Sequence, residues 1–168
     1  MLNKKKLYIL IGPAGAGKTT WVREHATPGT SAHISRDRIR FNMVKEDEYY
    51  FSREDDVYAE FVKQIADALQ CPWVDEVYAD ATHLTTKARH KLVLAVEEYF
   101  PYFDLAAVII KPELEKCLVQ NAQRMGREFV PETVIRNMYD SFQHPFGDDL
   151  RYDEIFENDV CVYGTEGN

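Results

Sequence analysis

The chain has 168 residues, 45% hydrophobic and 29% charged, which suits a single domain (1–168) with a real core and excludes a disordered or fibrous chain. A formal net charge of −8 argues against coating long duplex DNA, but leaves room for a local basic patch that grips one strand end. No apolar run approaches the roughly 20 residues of a spanning helix, and Cys71, Cys117 and Cys161, odd in number and without metal-ligand spacing, read as reduced thiols of a cytoplasmic protein.

In chain order, Lys6 to Ile11 is a short continuous apolar run that predicts a buried parallel strand. The basic MLNKKK before it runs straight into that strand; cleavage there as a signal peptide would remove the adjoining loop, so none is expected. Gly12 to Thr19, GPAGAGKT, has the spacing of a P-loop. Its glycines let backbone N–H groups approach an anion, and the helix over Lys18 to His25 would aim its N-terminus at the phosphates. Gly12, Ala14, Gly15, Ala16, Gly17, Lys18, Thr19 and Thr20 form the expected nucleotide cradle. Lys18 would reach the β- and γ-phosphates and the Thr19 hydroxyl a Mg²⁺ ion, while Thr20 also suits capping or packing.

ATPGTSA is a turn-rich connector, and Ala32 to Ser35 a second strand. Arg40 to Arg53 is polar and aromatic-rich, long enough for a functional loop. Val57, Phe61, Ile65 and Leu69 recur at steps of four and predict a helix over Asp55 to Leu69. Glu76 to Asp80 is the third strand. A helix over Thr86 to Phe100 comes next, capped by Thr85 or Thr86, with Ala88, Leu92, Ala95, Val96 and Tyr99 as its buried face. Tyr102 to Ile110 is the fourth strand, Glu113 to Arg124 a helix, and MGREF a break. Pro131 and Glu132 open a last helix with Val134, Ile135, Met138, Tyr139 and Phe142 on its apolar face. A final strand falls in 152–156 or 159–163, and GTEGN reads as a frayed tail. Alternating strands and helices imply an α/β domain with a parallel sheet.

Ligands of such sheets bind beyond the carboxyl ends of the strands. After the second strand, Asp37 could orient and deprotonate an attacking hydroxyl, or serve as a helix cap. After the third, Asp80 could attend Mg²⁺ directly or through water, or serve as a turn residue; His83 reads as a satisfied loop histidine. Arg124 and Arg127 flank Met125-Gly126 and could close over phosphates, or pair with Glu128 or Glu132 on the surface. Tyr49-Tyr50-Phe51 could line a ring pocket, stack an end base, or simply pack.

GPAGAGKTT, SRDRIR, DATHLTTKARHKL and NAQRMGREFVPETVIRNMYDSF, in this order, resemble the 5′-hydroxyl polynucleotide kinase domain of phage and bacterial repair enzymes, within the wider group of small P-loop kinases. The resemblance covers about Lys6 to His144. It implies a three-layer P-loop kinase fold, with a mostly parallel sheet of about five strands and a helical lid. It implies ATP and Mg²⁺ as cofactors and a 5′-hydroxyl nucleic-acid end, RNA or DNA, as the acceptor partner. By position, Lys18 and Thr19 match the phosphate- and metal-binding pair, Asp37 the carboxylate that activates the hydroxyl, and Arg40 the arginine on the acceptor-strand phosphate. Asp80 matches the acidic residue closing the third strand and Arg124 the lid arginine. Met125 shifts the lid register, so Arg124 and Arg127 could exchange roles. The alternatives are a kinase of a small hydroxylated molecule and a regulatory ATPase module.

Overall fold

The computed structural model describes residues 4–164, so the tail GTEGN lies, beyond Gly164, outside the described residues. The chain alternates strands and helices as β1 (Lys6–Ile11), α1 (Lys18–His25), β2 (Ser31–Ser35), α2 (Arg36–Met43), α3 (Glu54–Gln70), β3 (Glu76–Asp80), α4 (Thr86–Glu97), β4 (Asp104–Ile109), α5 (Leu114–Ala122), α6 (Glu132–Asp140), β5 (Glu154–Glu157) and β6 (Val160–Tyr163). Short 3₁₀ turns occupy Gly126–Glu128 and Pro145–Gly147. Both candidate segments for the last strand are strands, paired antiparallel as a hairpin, so the sheet has six strands in the order β2-β3-β1-β4-β5-β6. Every pairing except that hairpin is parallel. Among the described residues no helix is long and apolar enough to cross a membrane.

The pleat of β1 sorts its side chains between two layers. Leu7, Ile9 and Ile11 join one core with Phe61, Ile65 and Leu69 of α3 and Leu92 and Val96 of α4. Leu10 packs on the other face with Val22 of α1, Tyr78 and Val108. The step-of-four residues of α3 are all buried. β1 lies between β3 and β4, so consecutive strands leave it in opposite directions and a crevice opens beyond its carboxyl end.

The α4 face differs from expectation. Ala88 and Tyr99 are exposed, and Arg89 and Val93 take the inward positions beside Leu92 and Val96. The cause is an ion pair with no exposed side-chain surface on either partner. Arg89 donates from Nε to Asp148 Oδ2 (2.6 Å) and from Nη2 to Asp148 Oδ1 (2.8 Å). It also donates to the backbone carbonyls of His83 and Gln143, each at 2.8 Å. Asp148 accepts in addition from Thr86 Oγ1 (2.7 Å) and Tyr152 OH (2.6 Å). Thr85 therefore caps α4, accepting from Ala88 N, while the Thr86 hydroxyl serves Asp148. Burial alone would raise the Asp148 carboxyl, but the hydrogen bonds from Arg89, Tyr152 and Thr86 outweigh it and hold the pKa below the ordinary carboxylate value.

Arg89→Ala strands that carboxylate, so urea unfolding at neutral pH should show a loss of about 3–5 kcal/mol. Because the folded pKa of Asp148 is depressed, its stabilisation is full above the ordinary carboxylate range and lost as pH falls through the folded value. The wild-type stability curve should therefore drop in acid more steeply than that of Arg89→Ala.

Candidate functional site

The P-loop leaves β1 wedged between the exits of its two neighbours. Gly12 N donates to Thr82 O beyond β3 (3.0 Å), and a Cβ on Gly12 would stand 2.1 Å from Ile110 O beyond β4. Gly15 (φ 77°) and Gly17 (φ 95°) take left-handed conformations that let the loop wrap back onto α1. Beneath it, Ala16 packs on Cys117 of α5 and Ile135 of α6, both without exposed surface. Ala14 N–H is turned toward the lid and donates to Met138 Sδ of α6 (3.4 Å). Thr20 is exposed on α1.

Lys18 folds over the loop and donates to Gly12 O (3.0 Å) and Pro13 O (2.8 Å). Burial lowers its pKa; the carboxylates of Asp80 and Asp37 oppose that shift and Arg124 adds to it. Groups from α2, β3 and the lid thus act on the charge of one amine.

Asp80 is buried at the end of β3, where its Oδ2 accepts from Thr19 Oγ1 (3.0 Å) and lies 2.8 Å from His33 Nε2. Burial pushes the carboxyl up, but the His33 hydrogen bond, the Lys18 charge and Thr19 hold it below the usual carboxylate range. An ionised carboxylate beside a hydroxyl is a fitting oxygen pair for Mg²⁺. Among the described residues no group of three or more His, Cys, Asp or Glu could hold a metal, so such an ion would be held largely by a nucleotide's phosphates and water. His83 is buried with Nδ1 2.9 Å from Leu10 O, and burial drives its pKa down to about 4.

On the opposite side of the crevice, Ser35 caps α2 by accepting from Arg38 N (3.3 Å), so Asp37 is not the cap. Asp37 stands in the first turn with 67% of its side chain exposed. Its Oδ1 accepts from Arg40 Nη1 (2.5 Å) and Tyr50 OH (3.3 Å). Arg40 itself is buried and committed. It donates from Nε (2.6 Å) and Nη2 (3.0 Å) to the Glu54 carboxylate and stacks on Tyr50 and Phe51. A strand phosphate at Arg40 would have to displace one of these partners. Tyr50 and Phe51 thus pack on Arg40, while Tyr49 remains 73% exposed.

The two lid arginines separate. Arg124 donates to Glu128 O (3.3 Å), and its charge adds to the lowering of the Lys18 pKa. Arg127 crosses to the end of α2, donating to Val44 O (2.6 Å) and Phe41 O (3.4 Å) and lying over the Phe41 ring. Cations are favourable at a helix C-terminus. Neither forms an ion pair with Glu128 or Glu132; Glu132 is held by Arg136 (2.6 Å). Gly126 (φ 60°) makes the turn between them.

Four contributors gave little sign of themselves in the sequence: His33 on Asp80, Glu54 beneath Arg40, Met138 on the loop, and Asn121. The Asn121 amide donates to Val130 O (2.6 Å) and accepts from Val130 N (3.0 Å), closing the base of the lid. A polar residue on the inward face of α5 was its one visible signal.

Gly12→Ala drives a methyl into the Ile110 carbonyl, so the P-loop must shift away from β4. Titration with a fluorescent ATP analogue should show affinity falling at least 10-fold, with the thermal midpoint lowered as for overpacking of about 1–3 kcal/mol.

A family profile described as an AAA domain matches residues 7–145. No curated protein sequence matches the chain. Among solved structures, Chaetomium thermophilum Kti12 in complex with ADP-AlF3 superposes with a TM-score of 0.60 at 16% identity, over 90% of this chain and 87% of that one. A fungal RNA kinase gives 0.62 at 14% identity, over 92% of this chain and 38% of that one. A chain of a Pnkp1/Rnl/Hen1 complex gives 0.58 at 20% identity, over 71% of this chain and 40% of that one. This chain thus spans about two fifths of the length of those two. A sugar kinase from Janibacter sp. HTCC2649 gives 0.54 at 12% identity, over 92% and 85%. These likenesses establish the fold, and with the P-loop geometry and the profile match they show that the chain belongs to the AAA domain family and has a kinase-like P-loop fold.

Proposed function

We propose that this protein transfers the γ-phosphate of ATP to the 5′-hydroxyl of a polynucleotide end. The observation that carries the reading is Asp37: an exposed carboxylate across the crevice from the P-loop lysine, fixed from behind by Arg40 and Tyr50. Such a carboxylate can take a proton from an acceptor hydroxyl or, in a nucleotide-hydrolysing switch, from water, and the fate of labelled phosphate tells the two apart. Among the similar structures, the fungal RNA kinase supports the same choice of acceptor.

On this reading the acceptor oxygen attacks the γ-phosphorus as the bond to the β-phosphate oxygen breaks, and ADP leaves. Asp37 takes the hydroxyl proton. The P-loop amides and Lys18 hold the phosphates, with Lys18 leaving the Gly12 and Pro13 carbonyls to do so. Arg124 offsets the charge that builds on the transferred group. Thr19 and Asp80 would hold Mg²⁺, which neutralises phosphate charge when bound. Arg127 closes the lid against α2, and Arg40 positions Asp37.

A second reading, phosphorylation of a small hydroxylated molecule, draws on a hollow of about 310 Å³ lined by His33, Ser35, Arg38, Ile39, Asn42, Met43, Glu60 and Gln64. Labelled ATP offered with a 5′-OH oligonucleotide, with a panel of sugars and nucleosides, and alone separates these readings from a regulatory ATPase, which would release label only as phosphate.

Asp37→Asn should lower kcat for the oligonucleotide by about 10²–10⁴, with ATP affinity unchanged in equilibrium titration. Transfer at the wild-type rate would overturn the role of Asp37. Arg124→Ala should lower kcat by about 10³ or more, whereas Arg127→Ala should act mainly by loosening the lid, raising the KM for ATP. The reverse pattern would exchange their roles.

A further inference from the structure

Beside Asp37, α2, α3 and α4 meet around one phenol ring. The Arg36 guanidinium lies 5.3 Å from the Tyr58 ring centroid, and the Lys91 ammonium 4.1 Å. Two cations therefore flank a single ring. Two donors there, Arg36 Nε and the Tyr58 hydroxyl, are buried without a hydrogen-bond partner. Buried donors are normally satisfied, and an orphaned one is costly unless a ligand completes it. Among the described residues Arg36 pairs with one carboxylate, Glu54 (2.9 Å from Arg36 Nη2), which it shares with Arg40. Lys91 pairs with no carboxylate among the described residues.

The α4 side shares this sign, whereas α3, which carries Tyr58, opens with Glu54, Asp55 and Asp56. From Ala81 to Val96 the chain has no carboxylate but carries Lys87, Arg89, His90 and Lys91. Arg89 is neutralised by Asp148; Lys87 and Lys91 are exposed one turn apart, a like-charged pair that does not help the helix. In a chain of net charge −8 this is a local positive strip. It opens at the catalytic end of the sheet, because Arg36 follows β2 and α4 follows the β3 exit. The Arg36–Glu54–Arg40–Asp37 chain of ion pairs connects it to the proposed base.

We propose that Arg36, Tyr58 and Lys91, with Lys87 at the rim, form a phosphodiester subsite for the acceptor strand, separate from Arg40, which is committed to Glu54 and Asp37. It rests on the polynucleotide reading above. A bound phosphate draws Lys91 off the ring, pairs with it and Arg36, and accepts from the uncovered donors. The acceptor is then a strand with phosphodiesters 3′ of its reacting end, and the net negative charge elsewhere keeps other polyanions off.

The test is equilibrium binding of a 5′-OH trinucleotide and of a nucleoside 3′-monophosphate to the full chain, across a salt series. Lys91→Ala should weaken the trinucleotide about 10-fold and reduce its salt slope by about one phosphate contact, leaving the monophosphate and ATP unaffected. Tyr58→Phe should weaken the trinucleotide without lowering the melting temperature, since the hydroxyl has no partner to lose. Equal trinucleotide binding by wild type and Lys91→Ala overturns the subsite, as does equal loss of trinucleotide and monophosphate. Should the wild type transfer no label to any 5′-OH end, the kinase reading falls, and the subsite is still judged by binding: salt-dependent affinity lost in Lys91→Ala upholds it, and absent trinucleotide binding overturns it.

Discussion

Arg89 and Asp148 carry opposite charges with no solvent to share them, and the segments around the P-loop crevice are assembled on that pair. Replacing such a pair with apolar residues of equal volume often costs nothing, so its value lies in where it puts the chain rather than in net stability. The guanidinium grips the exit of β3 through the His83 carbonyl and the end of the lid helix through Gln143. The carboxylate grips the start of α4 through Thr86 and the approach to β5 through Tyr152. Four segments that no strand pairing joins are thereby fixed around the crevice. An apolar cluster would fill the same space without specifying their directions, because hydrophobic contact has no preferred angle.

The two sides of the crevice are organised differently. The P-loop side is held by backbone approach: Gly12 against Ile110, Gly15 against Cys117, and the loop on α5 and α6. The opposite side is held by alternating charge, Arg36 to Glu54 to Arg40 to Asp37, with Tyr50 and Phe51 packed on Arg40. Close backbone approach tolerates no side chain but is indifferent to salt and pH. A relay of ion pairs holds its members in register while leaving its last carboxylate open to solvent. Exposure at Asp37 is therefore a product of burial at Arg40.

Much of this was legible in the sequence. The P-loop spacing, the step-of-four face of α3 and the apolar runs of β1 and β3 report short-range periodicity, and they fell where the structure has them. Asp37, Asp80, Lys18 and Arg124 stand out among the residues beyond the strand ends; the structure puts Asp80 on Thr19, next to Lys18, and Asp37 in the first turn of α2. The failures are tertiary. Arg89 was passed over on α4 because a charged residue reads as solvated until its partner 59 positions away is known. Arg40 was expected on an acceptor-strand phosphate because its partner Glu54 lay across an aromatic loop. Arg124 and Arg127 were inseparable by spacing, and only the docking of Arg127 on α2 tells them apart.

The thioether of Met138 has a consequence that extends to the whole lid. Sulfur is a weak acceptor, so the Ala14 N–H is kept satisfied without being held firmly. A phosphate oxygen that took this donor would remove one contact between α6 and the loop, leaving Ile135 packed on Ala16. The occupancy of the loop and the position of α6 are then two variables of one equilibrium, and reciprocity applies to them. Whatever factor a nucleotide imposes on the docking of α6, a partner that grips α6 imposes on the nucleotide. One methionine thus makes the outer surface of the lid a place from which affinity at the loop can be adjusted, some distance from any phosphate.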